Sequence, residues 1–474
     1  MNLSRLRRPA AAVAGMTLAL FVAQALLMQR TLLHLLTSWD AWALSALFAL
    51  VYGAALSLIA ALERPKMGAL LFAGGFLALT MLARVAMLDF ETADYVSFLS
   101  GWVQMFREGG FATLSQNVGD YNLLYQYVLL LVSRSSLYDL YLIKLFSVAA
   151  DYALAVVMMR AARHVAGERA AMPALLLVSA LPTVLLDGAC WGQCDAVYVS
   201  LIVLSLLLLE TGRPTRSAMA LAVAFAFKLQ TIFFFPVVLL ALIHGKYRPR
   251  HALAFFGAYL VTMLPALIAG RPFLDALSVY ANQSMGQYYD RLTYNAPNLY
   301  LFFPMLEFAS SQEYTWMRYI DGVNSKGVNA YLNADLLPAL QSAALFACIL
   351  LTLIVVIYWL IHAREITPEM TLELALFFAI FLPFVMPKIH ERYFYLADML
   401  SVLYAIKRSD RRFVPLLVVT ASAMSYVPYL MRQRPIDERW LALMMLAALV
   451  VVSHDLLARM RQNRAALAKG GEAA

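Results

Sequence analysis

Long apolar runs constrain this chain more than any other feature. Stretches of about 20 residues with almost no charge recur along the sequence, for example at residues 41–62 and 338–361. A transmembrane α-helix needs about this length, because lipid offers no partner to an unpaired backbone amide. Of the 474 residues, 62% are hydrophobic and only 14% are charged. The chain is therefore predicted to be an all-α polytopic membrane protein.

The apolar runs predict a bundle of about 12–14 transmembrane helices in a single membrane domain over residues 1–474. Residues 338–474 would hold the C-terminal helices. One further run, Asn122–Val132, is too short to cross and is predicted to be re-entrant or to lie at the surface. The candidate spans are residues 10–28, 41–62, 69–88, 141–160, 172–187, 195–210, 217–227, 229–244, 251–270, 338–361, 370–387, 393–406, 413–431 and 440–457.

The basic residues predict the orientation of these helices. With the N-terminus in the cytoplasm, the cytoplasmic loops hold the larger share of Lys and Arg, in short clusters such as residues 407–412. The positive-inside rule then predicts that both termini are cytoplasmic. The net charge of +8 is explained by these loops and does not indicate nucleic-acid binding. Two long outer segments, 89–140 and 271–337, carry many aromatic residues and are predicted to form amphipathic interfacial helices.

Costly polar residues all map to the predicted outer face. A basic cluster binds phosphate by charge-assisted hydrogen bonds, and a carboxylate can take the proton of an attacking hydroxyl. Polar groups near the membrane interior are functional-site candidates by default. We therefore expect them to converge in one aqueous pocket. They are Asp89, Glu91, Asp94, Asp120, Asp187, Gln193, Asp195, Lys228, Gln230, Arg291, Asn295, Asn298, Lys388, His390, Glu391 and Arg392.

The first three of these acidic residues also have structural interpretations. Asp89 and Glu91 follow the third span directly and could simply end it at the water boundary. Asp94 precedes an amphipathic pattern and could be the N-cap of a helix. Both interpretations stay open at the level of sequence.

Later residues carry similar alternatives. His390 could be a structural interfacial histidine, although its charged neighbours in a short turn favour a functional role. Lys228 could snorkel to the interface, but a helix break that presents it to an outer cavity fits its apolar run better. Cys190 and Cys194 lack the further ligands of a zinc site and are predicted to be small apolar fillers.

Five short motifs, spread over about residues 85–400, resemble the GT-C membrane glycosyltransferases. The similarity is to the bacterial relatives of the GPI-anchor mannosyltransferases and of the ER glucosyltransferases that extend the N-glycan precursor. Asn122 and Leu123 stand where the family's second element has two prolines. In chain order, the motifs resemble an Asp-then-Trp element, an Asp-Tyr-Pro-Pro-like element, a Gly-Gln-x-Asp turn, a Lys-x-Gln break and a late His-Glu element: Asp94–Trp102, Asp120–Tyr127, Trp191–Asp195, Phe227–Gln230 and Ile389–Tyr393.

The resemblance implies an inverting glycosyltransferase with its active site on the outer face of a bacterial inner membrane. Its donor would be a polyprenyl-phosphate sugar, with mannose or glucose as the transferred hexose. Its acceptor would be a hydroxyl of a glycan, lipid or protein, and membrane lipid would be its other partner. The resemblance implies no cofactor and no metal ion.

The resemblance also implies roles for individual residues. Asp94 would be the general base, with Asp89 as the runner-up. The remaining positions would bind substrate: Asp120 and His390 near the reacting centre, Lys228 with Arg291 or Arg392 at the lipid phosphate, Gln193 and Asp195 around the sugar or phosphate, and Gln230, Asn295 and Glu391 as further donor-binding candidates.

Two other functions are compatible with a polar membrane protein of this kind. A transporter or flippase of lipid-linked sugars would typically have internal repeats and broken helices near the bilayer midplane. The sequence has no evident repeat, and its polar residues are predicted at one edge of the membrane. A polymerase or ligase of surface polysaccharide would also need acidic and basic side chains at the membrane surface, but it would lack these motifs. The enzyme is the favoured prediction.

Overall fold

The structure is a computed structural model that describes residues 3–31, 37–281, 292–302 and 337–471. The described residues are almost entirely helical, so the predicted all-α class is confirmed. The α-helices are α1 (Leu3–Thr31), α2 (Ser38–Glu63), α3 (Met67–Val85), α4 (Ser100–Gly109), α5 (Leu123–Ser133), α6 (Asp139–Ala166), α7 (Glu168–Ala180), α8 (Pro182–Leu185), α9 (Asp195–Glu210), α10 (Pro214–Phe227), α11 (Phe235–Ile243), α12 (Pro249–Ile268), α13 (Phe273–Leu277), α14 (Leu337–Ile361), α15 (Thr371–Val385), α16 (Tyr395–Lys407), α17 (Phe413–Met431) and α18 (Glu438–Gly471).

Shorter elements connect these helices. Two π-helical turns, Tyr95–Leu99 and Leu186–Trp191, adjoin α4 and α8. The strands β1 (Thr293–Tyr294) and β2 (Ile389–His390) pair in parallel. The 3₁₀ turns are Gly110–Ser115, Leu229–Phe234, Leu299–Phe302, Ala363–Glu365, Pro368–Met370, Glu391–Phe394 and Ser409–Arg411.

Nine of the described helices are long and apolar enough to cross a membrane, and the bent pair Glu168–Ala180 and Pro182–Trp191 can add a tenth crossing. The protein is an integral membrane protein. Every predicted span coincides with a helical segment. When the adjoining 3₁₀ turns and the bent pair are counted, four of these segments still have fewer than 18 residues. Such helices are too short for a full bilayer unless the lipid thins or other helices cover them. They are Asp195–Glu210, Pro214–Phe227, Leu229–Ile243 and Tyr395–Lys407.

The chain forms two compact units. The first consists of Met1–Thr231 with Arg250–Asn282, and the second of Ile232–Pro249 with Gln283–Ala474. The residues predicted at the outer face are divided between them, and each group is described within its own unit.

Helix α6 is central to the first unit, where it packs against α2, α7 and α9. Arg84 of α3 pairs with Asp151 of α6 at 3.1 Å between Nε and Oδ2, and both side chains are fully buried. The Arg84 Nη1 group also donates to the carbonyl of Ser179 in α7, at 3.0 Å. A buried charge is tolerated in lipid only with such partners. This ion pair therefore ties α3, α6 and α7 together.

In the second unit, α15, α16, α17 and α18 pack consecutively, and α18 returns to contact α15. Polar pairs fasten α18 to its neighbours. Asp455 accepts from Arg411 Nε at 2.7 Å, and Arg459 pairs with Glu373 at 2.8 Å. The two-stranded sheet aligns Tyr294 with His390, and the Lys388 amide extends the pairing. The sheet thus brings residues 292–295 next to residues 388–390.

Candidate active site

The segment that leaves α3 is held by phenols from the start of α6. Tyr141 donates a hydrogen bond to Asp89, and Tyr138 donates to Glu91 Oε1 at 2.7 Å. Asp89 is half-buried, whereas Glu91 is exposed. Both carboxylates therefore do more than end a span at the water boundary, because each one anchors the connection to α6.

Asp94 lies within the first turn of the next helical segment and does not cap it. The cap is Thr92, whose Oγ1 accepts from the Tyr95 amide at 3.3 Å. The Asp94 side chain forms no capping hydrogen bond. The phenol of Tyr95 is buried and donates to Asp139 at 2.6 Å. Burial, followed by this hydrogen bond, raises the pKa of Tyr95 well above its usual range, so Tyr95 stays a donor at neutral pH.

The Asp94 carboxylate is held by two neutral N–H donors. Trp191 Nε1 donates to Asp94 Oδ2 at 2.9 Å, and Gln193 Nε2 donates to the same oxygen at 3.0 Å. The Tyr121 hydroxyl donates to Gln193 Oε1 at 2.7 Å, which orients the amide toward Asp94. Trp191 and Gln193 are buried, whereas Asp94 is half-buried. We call Asp94, Tyr121, Trp191 and Gln193 the Asp94 cluster.

Two π-helical turns build the Asp94 cluster. One begins directly after Asp94 and the other ends at Trp191. A π turn adds one residue to a helical turn, and such turns are frequent at functional sites. Gly192 follows with a φ of 78°, and the Gln193 amide donates back to the Asp187 carbonyl at 2.9 Å. Only glycine adopts this left-handed conformation routinely, so Gly192 lets the chain reverse between Trp191 and Gln193.

The motif Asp120–Tyr127 contributes to the cluster through Tyr121. The Tyr121 ring packs edge-on against Trp102, with 6.0 Å between ring centroids. Gly119 has a φ of 69°, and a Cβ there would lie 2.4 Å from the Trp102 indole, so the backbone lies directly against that ring. Asp120 itself is exposed and forms no hydrogen bond or ion pair with the described part of the chain.

The two residues that replace the family's prolines have their own structural role. Asn122 is the N-cap of α5, and its side chain accepts from the Leu123 amide at 2.8 Å. Its Nδ2 group also donates to the Tyr259 hydroxyl at 3.3 Å. In place of the two prolines, the Asn122 side chain caps α5, which is the short helix predicted for this run.

The Lys-x-Gln motif lies at a helix break, as predicted. Helix α10 ends at Phe227, Lys228 is extended, and a 3₁₀ turn begins at Leu229. Lys228 is buried, and its Nζ atom lies 2.6 Å from Asp195 Oδ1 at the start of α9. Gln230 is also buried, and its Oε1 has no hydrogen-bond partner among the described residues. The lysine charge is therefore balanced by Asp195 in this structure.

The second unit holds the other predicted residues. The His390 ring stacks on Tyr294 with 4.7 Å between centroids, and its Nδ1 lies 3.8 Å from Glu391 Oε2. Asn295 forms a backbone bridge with His390. Glu391 and Arg392 are buried. Two segments that are nearly 100 residues apart therefore form one local group. We call Tyr294, Asn295, His390, Glu391 and Arg392 the His390 group.

Asn298, the two cysteines and Arg291 complete the set of predicted residues. Asn298 is buried beside the His390 group and donates to the Met386 carbonyl at 3.5 Å. Cys190 and Cys194 are buried free thiols, consistent with the predicted apolar fillers. Arg291 lies outside the described residues. The roles of Trp191 and Tyr121 in holding Asp94 were not predicted, although both residues lie in the quoted motifs.

Comparison with known proteins identifies the family of this chain. A model of glycosyltransferase family 87 matches residues 126–387, which is more than half of the chain. The helical membrane fold and this match define a membrane glycosyltransferase of the GT-C type. The chain belongs to glycosyltransferase family 87. The matched region includes Trp191, Gln193 and Lys228 but begins after Asp94. No curated protein matches the sequence.

Proposed function

We propose that this protein moves a hexose, mannose or glucose, from a polyprenyl phosphate to an acceptor hydroxyl on the outer face of a bacterial inner membrane. One observation carries the proposal. Asp94 is a half-buried carboxylate whose Oδ2 atom accepts two N–H hydrogen bonds, from Trp191 and Gln193. In a membrane glycosyltransferase, such a fixed carboxylate suits the base that activates the acceptor.

The proposed reaction is one displacement with inversion at the anomeric carbon. Asp94 takes the proton of the acceptor hydroxyl while its oxygen forms a bond to the anomeric carbon. The bond from that carbon to the phosphate oxygen breaks, and its electron pair leaves with the lipid phosphate. The two donors on Oδ2 keep the carboxylate in one orientation, because each is fixed by its own buried surroundings.

Positive charge at the leaving phosphate is assigned to Lys228. Its ammonium lies in the helix break and pairs with Asp195 at 2.6 Å. The pair would hold the buried cation in place before the donor binds, and the phosphate would then share it. Arg392, which is buried, and Arg291 are further candidates for this role. The proposal assigns the charge to these side chains and includes no metal ion.

The remaining residues keep their predicted binding roles. Asp120 is exposed next to Tyr121 and is assigned to the acceptor. The side-chain oxygen of Gln230 is buried and has no partner among the described residues. It could therefore accept a hydrogen bond from a hydroxyl of the donor sugar. The residues of the His390 group remain binding candidates. Family membership favours bond-forming transfer over the alternative of a lipid-linked sugar transporter.

A donor-selection assay tests the proposal. Purified protein in nanodiscs is incubated with radiolabelled mannose or glucose, each supplied either as a polyprenyl phosphate or as a nucleotide sugar, and with a glycan and lipid extract. We expect label to move only from a polyprenyl phosphate, with an inverted anomer in the product. Transfer from a nucleotide sugar, or retention of configuration, would contradict the proposal.

A further inference from the structure

Lys144 of α6 is a buried lysine with an unusual set of partners. Its Nζ atom donates to three backbone carbonyls, those of Met87 and Leu88 at 2.9 Å and that of Phe90 at 2.7 Å. The side chain is fully buried. An ammonium has three N–H bonds. All three are therefore used on a single turn, the one that connects α3 to the segment carrying Asp94.

This turn lacks a regular cap. The Met87 and Leu88 amides donate to carbonyls at the end of α3, and the Phe90 amide donates to the Met87 carbonyl within the turn. Helix C-termini carry partial negative charge and are stabilised by a nearby cation. Lys144 supplies that cation from a neighbouring helix and so fixes the direction in which the chain leaves α3.

The aliphatic stem of the same lysine supports the turn that carries Trp191 and Gln193 of the Asp94 cluster. A Cβ built on Gly192 would lie 3.4 Å from Lys144 Cγ and 3.6 Å from Ile143 Cγ2. The Trp191–Gln193 turn therefore packs directly on the aliphatic part of Lys144. One side chain contacts both segments that meet at Asp94, with its ammonium on one and its methylene groups on the other.

The neighbouring residues of α6 act in the same region. Tyr141 and Tyr138 bind Asp89 and Glu91, and Asp139 accepts from Tyr95. The first turns of α6 thus hold the connection from residue 87 to residue 95 at successive points. Lys144 adds contacts of two kinds, because its ammonium binds backbone carbonyls of residues 87–90 and its stem packs against the Trp191–Gln193 turn.

We infer that Lys144 is a positioning residue for transfer: it sets the distance from Asp94 to its donors Trp191 and Gln193 without touching substrate. This inference rests on the proposed role of Asp94. A displacement of about 1 Å at a reacting group can lower a rate by about 100-fold. Loss of the ammonium should therefore lower kcat by about 10–100-fold and leave KM for the donor nearly unchanged.

The test combines kinetics with hydrogen exchange. Lys144→Met keeps the stem and removes the ammonium. We expect faster amide exchange in residues 86–95 and lower kcat, and no further loss when Lys144→Met is added to Asp94→Asn. The matched control is Arg160→Met, which removes another cation of α6, one that pairs with Glu63 at 3.0 Å. The control should alter neither the exchange of residues 86–95 nor kcat.

Each outcome decides the inference. Wild-type exchange in residues 86–95 together with wild-type kcat in Lys144→Met would overturn it, as would an equal further loss on the Asp94→Asn background. If Lys144→Met does not fold, Lys144→Arg takes its place, because a guanidinium cannot aim three N–H bonds of one nitrogen at these carbonyls. Altered exchange and reduced kcat in that variant support the inference, and wild-type values overturn it.

The two proposals fail in distinguishable ways. If the wild-type protein transfers no sugar from a polyprenyl phosphate, the proposed function is wrong and the positioning role in transfer fails with it, and faster exchange in Lys144→Met then shows only that Lys144 holds residues 86–95 in place. If the wild-type protein is active and Lys144→Met matches it in both measurements, the positioning role alone is wrong.

Discussion

Three carboxylates of the first unit accept hydrogen bonds from side chains that are distant in sequence, and these donors are either neutral or cationic. Asp89 pairs with Tyr141, Asp94 with Trp191 and Gln193, and the partner of Lys228 is Asp195. The neutral donors Tyr141, Trp191 and Gln193 fix the orientation of their carboxylates, whereas Lys228 and Asp195 neutralise each other. The difference suggests distinct tasks: orientation at Asp94 and charge balance at Lys228.

The pairing of Lys228 with Asp195 makes a prediction about donor binding. Lys228→Met should lower kcat/KM for the lipid-phosphate donor by about 10–100-fold, because it removes a charge-assisted contact to phosphate. It should also destabilise the protein by about 3–5 kcal/mol, because it leaves Asp195 buried without its cation. Donor titrations and thermal unfolding measure the two effects separately.

The double variant Lys228→Met/Asp195→Asn is the matched control. It removes both charges, so stability should recover while donor use stays impaired. Recovery of wild-type donor use in the double variant would mean that Lys228 serves only to balance Asp195. The assignment of Lys228 to the phosphate would then be wrong.

Sequence reasoning named most residues of the site but not their contacts. Asp94, Gln193 and Lys228 were predicted because polar groups are costly in an apolar chain. That Trp191 and Gln193 donate to Asp94 could not be predicted, since about 100 residues separate these partners. Lys144 was missed for a different reason. A single lysine at the start of a span resembles an ordinary snorkelling residue until its three carbonyl partners are seen.

At the scale of secondary structure, the site residues lie in or next to irregular turns, and the regular helices pack around those turns. The π-helical turns, the left-handed Gly192 and the break at Lys228 each depart from α-helical geometry. Such departures cost stability and persist where the surroundings hold them. The helices around them, α6 above all, provide those surroundings through buried side chains.

Gly192 offers a test of this dependence on turn geometry. Gly192→Ala should destabilise the protein by about 1–2 kcal/mol, because it forces a side chain into a left-handed conformation. It should also lower transfer per folded molecule, since relief of that backbone strain would shift the turn that carries Trp191 and Gln193. Thermal unfolding and transfer rate are measured on the same preparations.

Gly212→Ala is the control, because Gly212 has a φ of 72° and open space around it. It should lose similar stability and keep its transfer rate. Equal activity in the two variants would show that the Trp191–Gln193 turn tolerates displacement, contrary to our account of the cluster.

The helices were predicted well and the turns were not. Every predicted span coincides with a helix because apolar runs report helix position directly. The break before Leu229 was also predicted, since Lys228 and Gln230 interrupt an apolar run. The π turns leave no such signal, because one additional residue in a helical turn changes neither composition nor hydropathy.

At the scale of the whole molecule, the fold is a membrane bundle in two compact units. About 12–14 crossings were predicted, and nine or ten of the described helical segments are long and apolar enough to cross; four of the predicted spans form helices shorter than a typical span. Hydropathy detects apolar runs, whereas their use as full spans depends on tertiary packing. The predicted orientation, with both termini cytoplasmic, rests on the Lys and Arg distribution and remains a prediction.

Cysteine labelling tests that orientation. In a background with Cys190, Cys194 and Cys348 replaced by Ala, a new thiol is introduced by Glu108→Cys or by Arg461→Cys, both at exposed positions. A membrane-impermeant maleimide on intact spheroplasts should label the first variant and reach the second only after permeabilisation. The opposite pattern would invert the topology and put the Asp94 cluster on the cytoplasmic side.

The central claim is that Asp94, held by Trp191 and Gln193, is the base in transfer from a lipid phosphate. Its most direct test is the single-turnover rate of polyprenyl-phosphate sugar transfer by wild type, Asp94→Asn and Asp89→Asn, each shown to be folded. We predict at least a 100-fold loss, on the order of a general-base contribution, in Asp94→Asn, and less than about 10-fold in Asp89→Asn. Turnover retained by Asp94→Asn, or an equal loss in Asp89→Asn, would contradict the claim.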